Sequence, residues 1–238
     1  LKISIIIPIL NESEIIGKLI SILIQSSFSR KNIQEILIVD GGSTDRSKDI
    51  IDTLASQETT TIKFIPSQKG RAKQLNTGAR MAQGDILYFL HADSYPPEGY
   101  DNDIIQEVKK GNNAGCFRMK FDSNHWWLRF LGWLTQFHSK RCRGGDQSQF
   151  ITTSLFKQID GYDESFIVYE DNDLVERLFA IQQFVIIPKN VITSARRYKE
   201  IGIWRLQYYF LNIHMRKWMG ASPEKLYRYY KKKVGSIN

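Results

Sequence analysis

The 238 residues carry a net charge of +8, with 42% hydrophobic and 12% aromatic side chains, enough to bury one full core with room for an appendage. Cys116 and Cys142 form no Cys-x-x-Cys pattern and have no suitably spaced histidines, which argues against a zinc module and a disulfide framework and makes a reducing, cytoplasmic setting the expectation. The charge is uneven: positions 196–238 hold eleven Lys or Arg against two Glu, a net +9 that leaves −1 for the rest. A nearly neutral body is thus followed by a basic tail, suited to a membrane surface, nucleic acid or a phosphorylated substrate. Because the first segment reads as a strand, no signal peptide is expected.

In chain order, Ile3 to Pro8 reads as a first strand, and Asn11-Glu12-Ser13-Glu14 as a capping sequence opening a helix through about Gln25. Glu35 to Asp40 is a second buried strand ending on Gly41-Gly42, and Ser43-Thr44-Asp45 caps a helix reaching about Ala55. Ile62 to Ile65 is a third strand, and Gly70 to Met81 a third helix. The apolar run after Gly84-Asp85, stopped by Pro96-Pro97, is a central strand whose end carries His91, Ala92 and Asp93. Strand and helix patterns alternating at this spacing predict βαβ units and a Rossmann-like, mostly parallel sheet.

The first turn, Pro8-Ile9-Leu10-Asn11-Glu12, contains no glycine, so the G-x-G-x-x-G fingerprint is missing; no G-x-x-x-x-G-K-[ST] loop occurs either. Dinucleotide-dependent dehydrogenases and P-loop NTPases are thereby disfavoured. Acidic side chains stand instead at three strand ends: Glu12, Asp40 and Asp93. Carboxylates at the carboxyl edge of an open sheet suit ribose hydroxyls, base N–H groups and a divalent cation. Asp93 alone reads equally well as a solvated strand end; the three together point to a shared site.

Further on, Tyr100 to Lys110 is helical and Gly115 to Phe121 a strand. The aromatic stretch from Trp126 to Phe137 is too short, and too interrupted by Arg129 and Gln136, to span a bilayer. It reads as a core helix over the sheet; the functional alternatives are a membrane-facing helix or an acceptor pocket, in which Trp126 would join Gly145, Asp146 and Gln147 of the Arg143-Gly144-Gly145-Asp146-Gln147 loop. Glu170, Asp171 and Asp173 precede apolar positions at helical spacing, which places three acids at a helix N-terminus, more than capping needs. Phe184 to Pro188 is another strand, and Arg196-Arg197 suit phosphate oxygens. The tail mixes aromatic and basic residues from Ile203 to Trp218, then opens a last helix at Ser222-Pro223 that ends in Lys231-Lys232-Lys233; it fits an interfacial helix, or one packed on the domain. His125, His138 and His214 receive no role.

Ile7-Pro8 with Asn11-Glu12, Val39 through Asp45, Gly70-Arg71-Ala72 with Asn76 and Gly78, Gly84-Asp85 through His91-Ala92-Asp93, and Gly161-Tyr162-Asp163-Glu164 before Glu170-Asp171 resemble, in order, family 2 glycosyltransferases. The resemblance implies a GT-A fold over 1–198 with a helical basic extension over 199–238, a nucleotide-diphosphate sugar donor, a divalent cation (Mn²⁺ or Mg²⁺) and inversion at the anomeric carbon. It implies donor contacts at Pro8, Asn11, Glu12, Asp40, Gly70, Arg71, Asn76, Ala92 and Arg196, metal ligation by Asp93 with His91, and catalysis by Asp171 as base with Glu170 beside it. His91 stands where the family has the first acid of Asp-x-Asp, and Gly41 where a second Asp is frequent. The Gln-x-x-Arg-Trp motif of processive synthases is absent, so transfer of one sugar is expected. His91-Ala92-Asp93, Arg143 to Gln147 and Ser194 to Tyr198 resemble the small stand-alone subgroup named for arsenosugar biosynthesis.

The implied partners are the donor and a small-molecule or lipid acceptor, with no nucleic acid, in the cytoplasm at the inner face of the plasma membrane. The rival readings are a nucleotidyltransferase, which needs a Gly-rich phosphate loop after the first strand, and a non-catalytic nucleotide- or anionic-lipid-binding module.

Overall fold

Ile3–Ile9 (β1) sets the plan of the computed structural model, which describes residues 1–143 and 147–235. Ile3, Ile5, Ile7 and Ile9 enter one apolar core and Ile6 the other, as the two-residue period of a strand buried on both faces requires. Alternation then continues through Ile16–Gln25 (α1), Ile33–Asp40 (β2), Ser47–Gln57 (α2), Ile62–Pro66 (β3), Arg71–Met81 (α3) and Ile86–Phe89 (β4). Leu19, Ile20 and Leu23 of α1 cover one face, while Ala72, Leu75 and Ala79 of α3 cover the other. Gly78 lets α3 settle: a Cβ there would lie 2.5 Å from Ile6 Cγ2 and 3.0 Å from Val39 Cγ2, overpacking of a kind that costs about 1–3 kcal/mol.

The second half runs through Ser94–Tyr95 (β5), Tyr100–Lys109 (α4), Ala114–Phe121 (β6), Trp126–Leu134 (α5), Gln149–Thr152 (β7), Thr153–Gln158 (α6), Glu170–Ala180 (α7), Val185–Thr193 (β8), Arg196–Ile201 (α8), Ile203–Trp218 (α9) and Pro223–Lys233 (α10). Among the described residues, eight strands form one sheet in the order β3-β2-β1-β4-β7-β6-β8-β5. The first four are parallel. Because β7 is antiparallel to both β4 and β6, β6 resumes the direction of β4, and β8 runs parallel to β6. The carboxyl ends of β1, β2, β4, β6 and β8 therefore open on one edge, where ligands of such sheets bind.

The structure amends several expectations. Asn11 to Glu14 do not cap α1, which starts only at Ile16 with no side-chain cap; Asn11 instead takes a left-handed turn, φ +57°. β8 is one strand through Thr193, with a register shift opposite Phe117/Arg118 that takes up Pro188 and Lys189, where proline has no N–H to pair. The short strands β5 and β7 have no counterpart among the sequence-predicted strands. Nor is α5 a core helix: Leu128 is its one buried residue, and it rests on β6 through Gly132, whose Cβ position is 2.9 Å from the Met119 carbonyl. Its aromatic side faces solvent.

The basic tail packs. Leu206 of α9 enters the main core, and Ile213, Leu226 and Tyr230 form a separate cluster with Phe166 and Val168. Among the described residues no helix is long and apolar enough to cross a membrane.

Candidate active site

The β1 and β2 ends are tied into one rim by short hydrogen bonds. Asp40 accepts from the backbone of Gly42 and Ser43 at 3.0 Å and from the Ser43 hydroxyl, so its carboxylate shapes its own turn. Asn11 receives the Thr44 N–H on its side-chain oxygen at 2.8 Å and donates its own N–H to Ser43 Oγ at 2.8 Å. Asp45 accepts from the N–H groups of Ser13 and Ser47, at 2.9 and 3.0 Å. Slight burial pushes the Asp45 carboxyl up, but donors from Ser47 and Ser13 outweigh it and hold it down at about 2. Beneath the rim, Gln74 donates to the carbonyls of Ile9 and Val39, both at 2.8 Å. A Cβ at Gly41 would meet that pinned amide at 3.1 Å, a local reason why an Asp does not follow Asp40.

The opposite wall is the start of α7. Tyr169, just before it, adopts φ +80°, a left-handed conformation costly for an aromatic residue and a mark of backbone held for a purpose. Glu170 and Asp171 are both buried. Arg71 reaches Glu170 Oε1 at 3.2 Å and Asp171 Oδ2 at 3.9 Å, and His91 Nε2 lies 3.7 Å from that same Asp171 oxygen. Burial pushes the Glu170 carboxyl above its ordinary value while the Arg71 guanidinium pulls it back. Asp173 is paired with Arg177 at 2.9 Å, and Asp163 closes a turn on Ser165 N–H at 2.9 Å, so each has a structural task. Pro8, His91, Gln147 and Asp171 line one small cleft between the walls, with Tyr162 and Gln149 at its back.

Between the walls stands Asp93. Its half-buried carboxylate has no hydrogen-bond or ion-pair partner among the described residues. Across from it, burial pushes the Glu12 carboxyl up, Arg196 lowers it and the charge of Asp93 raises it again; the Arg196 guanidinium is 3.7 Å from Glu12 Oε2. A free hard-oxygen ligand beside a second carboxylate fits Mg²⁺ or Mn²⁺, which take one or two protein carboxylates and fill the remaining positions with water and substrate phosphate. Among the described residues no group of three or more His, Cys, Asp or Glu forms a metal cage, in keeping with that incomplete ligand set.

Of the residues singled out in the sequence, Pro8, His91, Gln147 and Asp171 gather at the cleft with Glu170 buried beside Asp171, and Glu12, Asp93 and Arg196 face one another. Ala92 is buried between His91 and Asp93, and Gly70 opens α3 at φ +132°. Three of them meet other partners in the structure. Asn76 gives its N–H groups to the Tyr162 carbonyl and Glu164, both at 2.9 Å, and accepts from Tyr162 N–H at 3.0 Å, so it holds the Gly161–Glu164 turn and has no donor left for a nucleotide. Arg71 meets the acid pair. Trp126 is 63% exposed and contacts Trp204, in the outer aromatic surface. Gly145 and Asp146 lie outside the described residues. Arg197 donates to Tyr230 Oη at 2.8 Å and anchors the tail. Sequence reasoning missed Gln74 and Gln149, and gave Arg143 no role beyond its place in the loop motif. The first two are buried polar residues that read as surface, while Arg143 is a buried tie among Gln147 Oε1 at 3.0 Å, the Phe137 carbonyl at 2.8 Å and the Thr135 carbonyl.

A mostly parallel sheet, acids at its carboxyl edge and an acid pair on a facing helix define an α/β fold with its ligand cleft at the carboxyl ends of the strands. Residues 4–173 match the model of Glycosyl transferase family 2, and the chain belongs to that family. It is 23% identical over 223 residues to the probable glycosyltransferase YdaM of Bacillus subtilis, covering 85% of this chain and 52% of that protein. It is 31% identical over 205 residues to an undecaprenyl-phosphate 4-deoxy-4-formamido-L-arabinose transferase of Proteus mirabilis, covering 85% and 59%. The chain thus spans between half and three-fifths of the length of these relatives. The mannosyltransferase PcManGT of Pyrobaculum calidifontis, solved with GDP-Man and Mn²⁺, superposes with a TM-score of 0.72 at 16% identity, over 98% of this chain and 68% of that one. S. aureus TarS 1-349 superposes at 0.66 and 16%, over 83% and 61%. These likenesses establish the GT-A fold.

Proposed function

We propose that the chain moves one sugar from a nucleotide-diphosphate sugar to an acceptor hydroxyl with inversion, Asp171 serving as base. The observation that carries this is the placement of Asp171 on the cleft wall facing the β4 edge, its carboxylate framed by Arg71 and His91. As the acceptor oxygen bonds to the anomeric carbon, the bond from that carbon to the diphosphate breaks on the opposite face, and the acceptor proton passes to the Asp171 carboxylate. Glu170, held by Arg71, fixes the start of α7 and with it the direction of Asp171. Asp93, with Glu12 close by, would hold a divalent cation, which when bound neutralises charge on the departing diphosphate. Arg196 adds a cation at the same edge, and Asp40 with Asn11 orders the turns that receive the nucleoside.

Neighbours solved with UDP-GlcNAc and with GDP-Man support the donor class, and the undecaprenyl-phosphate in the name of the Proteus mirabilis relative supports a lipid-phosphate acceptor. The motifs around His91, Arg143 and Arg196 support membership of the subgroup named for arsenosugar biosynthesis.

The test begins with a thermal-shift panel of UDP- and GDP-sugars with Mn²⁺ to find the donor, followed by turnover of that donor. Asp171→Asn should bind it as tightly as the parent and lose about 10²-fold or more in kcat. Near-parental turnover in Asp171→Asn, with loss in Glu170→Gln or Asp146→Asn, would move the base to whichever residue failed.

A further inference from the structure

Two stripes of large apolar side chains face solvent and meet. On α5, Trp126, Phe130 and Trp133 follow helical i, i+4, i+7 spacing, and on α9 so do Trp204, Tyr208 and Leu211, with Trp218 a further two turns on. Exposure runs from 41% at Phe130 to 88% at Trp218. Both helices bury a different side, Leu128 on α5 and Leu206, Tyr209 and Ile213 on α9, so these stripes form a second apolar face. They join at Trp204, whose ring centroid is 5.9 Å from that of Trp126 and 5.2 Å from that of Trp127. A continuous exposed ridge of this kind marks an interaction surface.

Beside Trp133 a cavity of about 230 Å³ opens between α5 and β6, lined by Arg118, Lys120 and Arg129. None of the three has an acidic partner among the described residues, and the buried Nε of Arg118 has no hydrogen-bond partner. Arg118 inside the recess, with Lys120 and Arg129 exposed at its mouth, thus gives it a positive charge that no acidic side chain balances among the described residues. The group that completes it is an anion, and guanidinium donors favour phosphate oxygens.

We infer that this face docks on an anionic phospholipid surface, the α5–α9 ridge lying among the headgroups and the Arg118, Lys120 and Arg129 recess receiving a lipid phosphate. Tryptophan and tyrosine beside Lys and Arg are the residues of a membrane–water interface. A second copy of the chain fits worse: a two-fold contact across this face would bring the same three unbalanced cations against each other. Because β6 runs in the direction of β4, α5 begins at the edge where Asp93 stands, so docking would hold the cleft beside the bilayer.

Sedimentation of the chain with vesicles tests this without reference to catalysis. Binding is expected to phosphatidylcholine vesicles containing phosphatidylglycerol, to weaken with salt, and to be absent for phosphatidylcholine alone. The pair W133S with W204S, and separately R118Q with R129Q, should each weaken it about 10-fold or more with circular dichroism unchanged. Failure to bind anionic vesicles would overturn the proposal. So would binding that both pairs leave intact and that only the Lys231, Lys232 and Lys233→Gln variant loses. A parent dimer that W133S with W204S converts to monomer would assign the ridge to a second copy and overturn it as well.

Discussion

The two walls of the cleft are held by opposite means. On the β1–β2 rim two acids are satisfied by neutral partners close at hand, the buried Asp40 by Ser43 and Gly42 and the exposed Asp45 by Ser13 and Ser47. The α7 wall is buried, its acid pair answers to the Arg71 guanidinium far away in sequence, and its entry residue Tyr169 is held in a left-handed conformation. Contacts from the tail brace that residue: the His214 ring lies 5.2 Å from the Tyr169 ring, and Lys217 Nζ sits 5.7 Å over it. Neutral hydrogen bonds make a rim that tolerates change in pieces. Coupled buried charge makes a wall in which removal of one partner strands another.

Asp93 lies between the walls and belongs to neither network, so replacing it separates ligand binding from architecture. Asp93→Ala should leave the melting temperature of the unliganded protein unchanged, abolish the gain in nucleotide affinity produced by Mn²⁺, and lower transfer by about 10²-fold or more. Calorimetric titration of nucleotide in Mn²⁺ and in EDTA checks it; equal metal enhancement in parent and variant would show that other residues hold the cation.

The α7 wall should answer to Arg71. Arg71→Met removes the guanidinium that offsets the burial of Glu170, so the carboxyl, already raised above its ordinary 4.5, rises further. A carboxyl raised on folding stabilises fully below its unfolded value and loses that contribution as pH climbs through its folded value. The variant's deficit is therefore expected to be small near pH 4 and to grow to about 2–3 kcal/mol by pH 8, read from urea midpoints. A deficit independent of pH would mean that Arg71 acts by packing alone.

The same contrast governs what was legible in the sequence. Strands β1, β2 and β4 show as apolar runs, and the turns that follow them carry their own Asn, Asp, Gly and Ser partners, so fold class and nucleotide edge could be read locally. β7 could not: four residues, Gln-Phe-Ile-Thr, become a strand only because β4 and β6 flank them. Arg71 reads as a helix start and Asn76 as a polar helix position; their tasks depend on Glu170 and Tyr162, at least 86 positions away. The outward turn of α5 was hidden for a like reason. An aromatic helix reads as core until Leu128 is seen to be its one buried residue, with Gly132 set close against β6.

The rim's own response should be the smallest, and confined to a different pH window. Asp45→Ala removes one acceptor shared by the N–H groups of Ser13 and Ser47. Water can replace it at this exposed position, so the cost should be about 1 kcal/mol at pH 7, the size of a lost helix cap. The sign follows from a carboxyl depressed from 3.8 to about 2: its stabilisation is complete above pH 4 and disappears as the pH falls through 2. Urea midpoints of parent and variant should accordingly converge between pH 4 and the acid limit of the fold and run in parallel above it, where the Arg71→Met deficit is still growing. Nucleotide affinity should fall less than about threefold, since Asn11 and Asp40 keep their own turn bonds. A loss as large as that of Asp93→Ala would show that Asp45 touches the donor and that the rim is no scaffold of independent pieces.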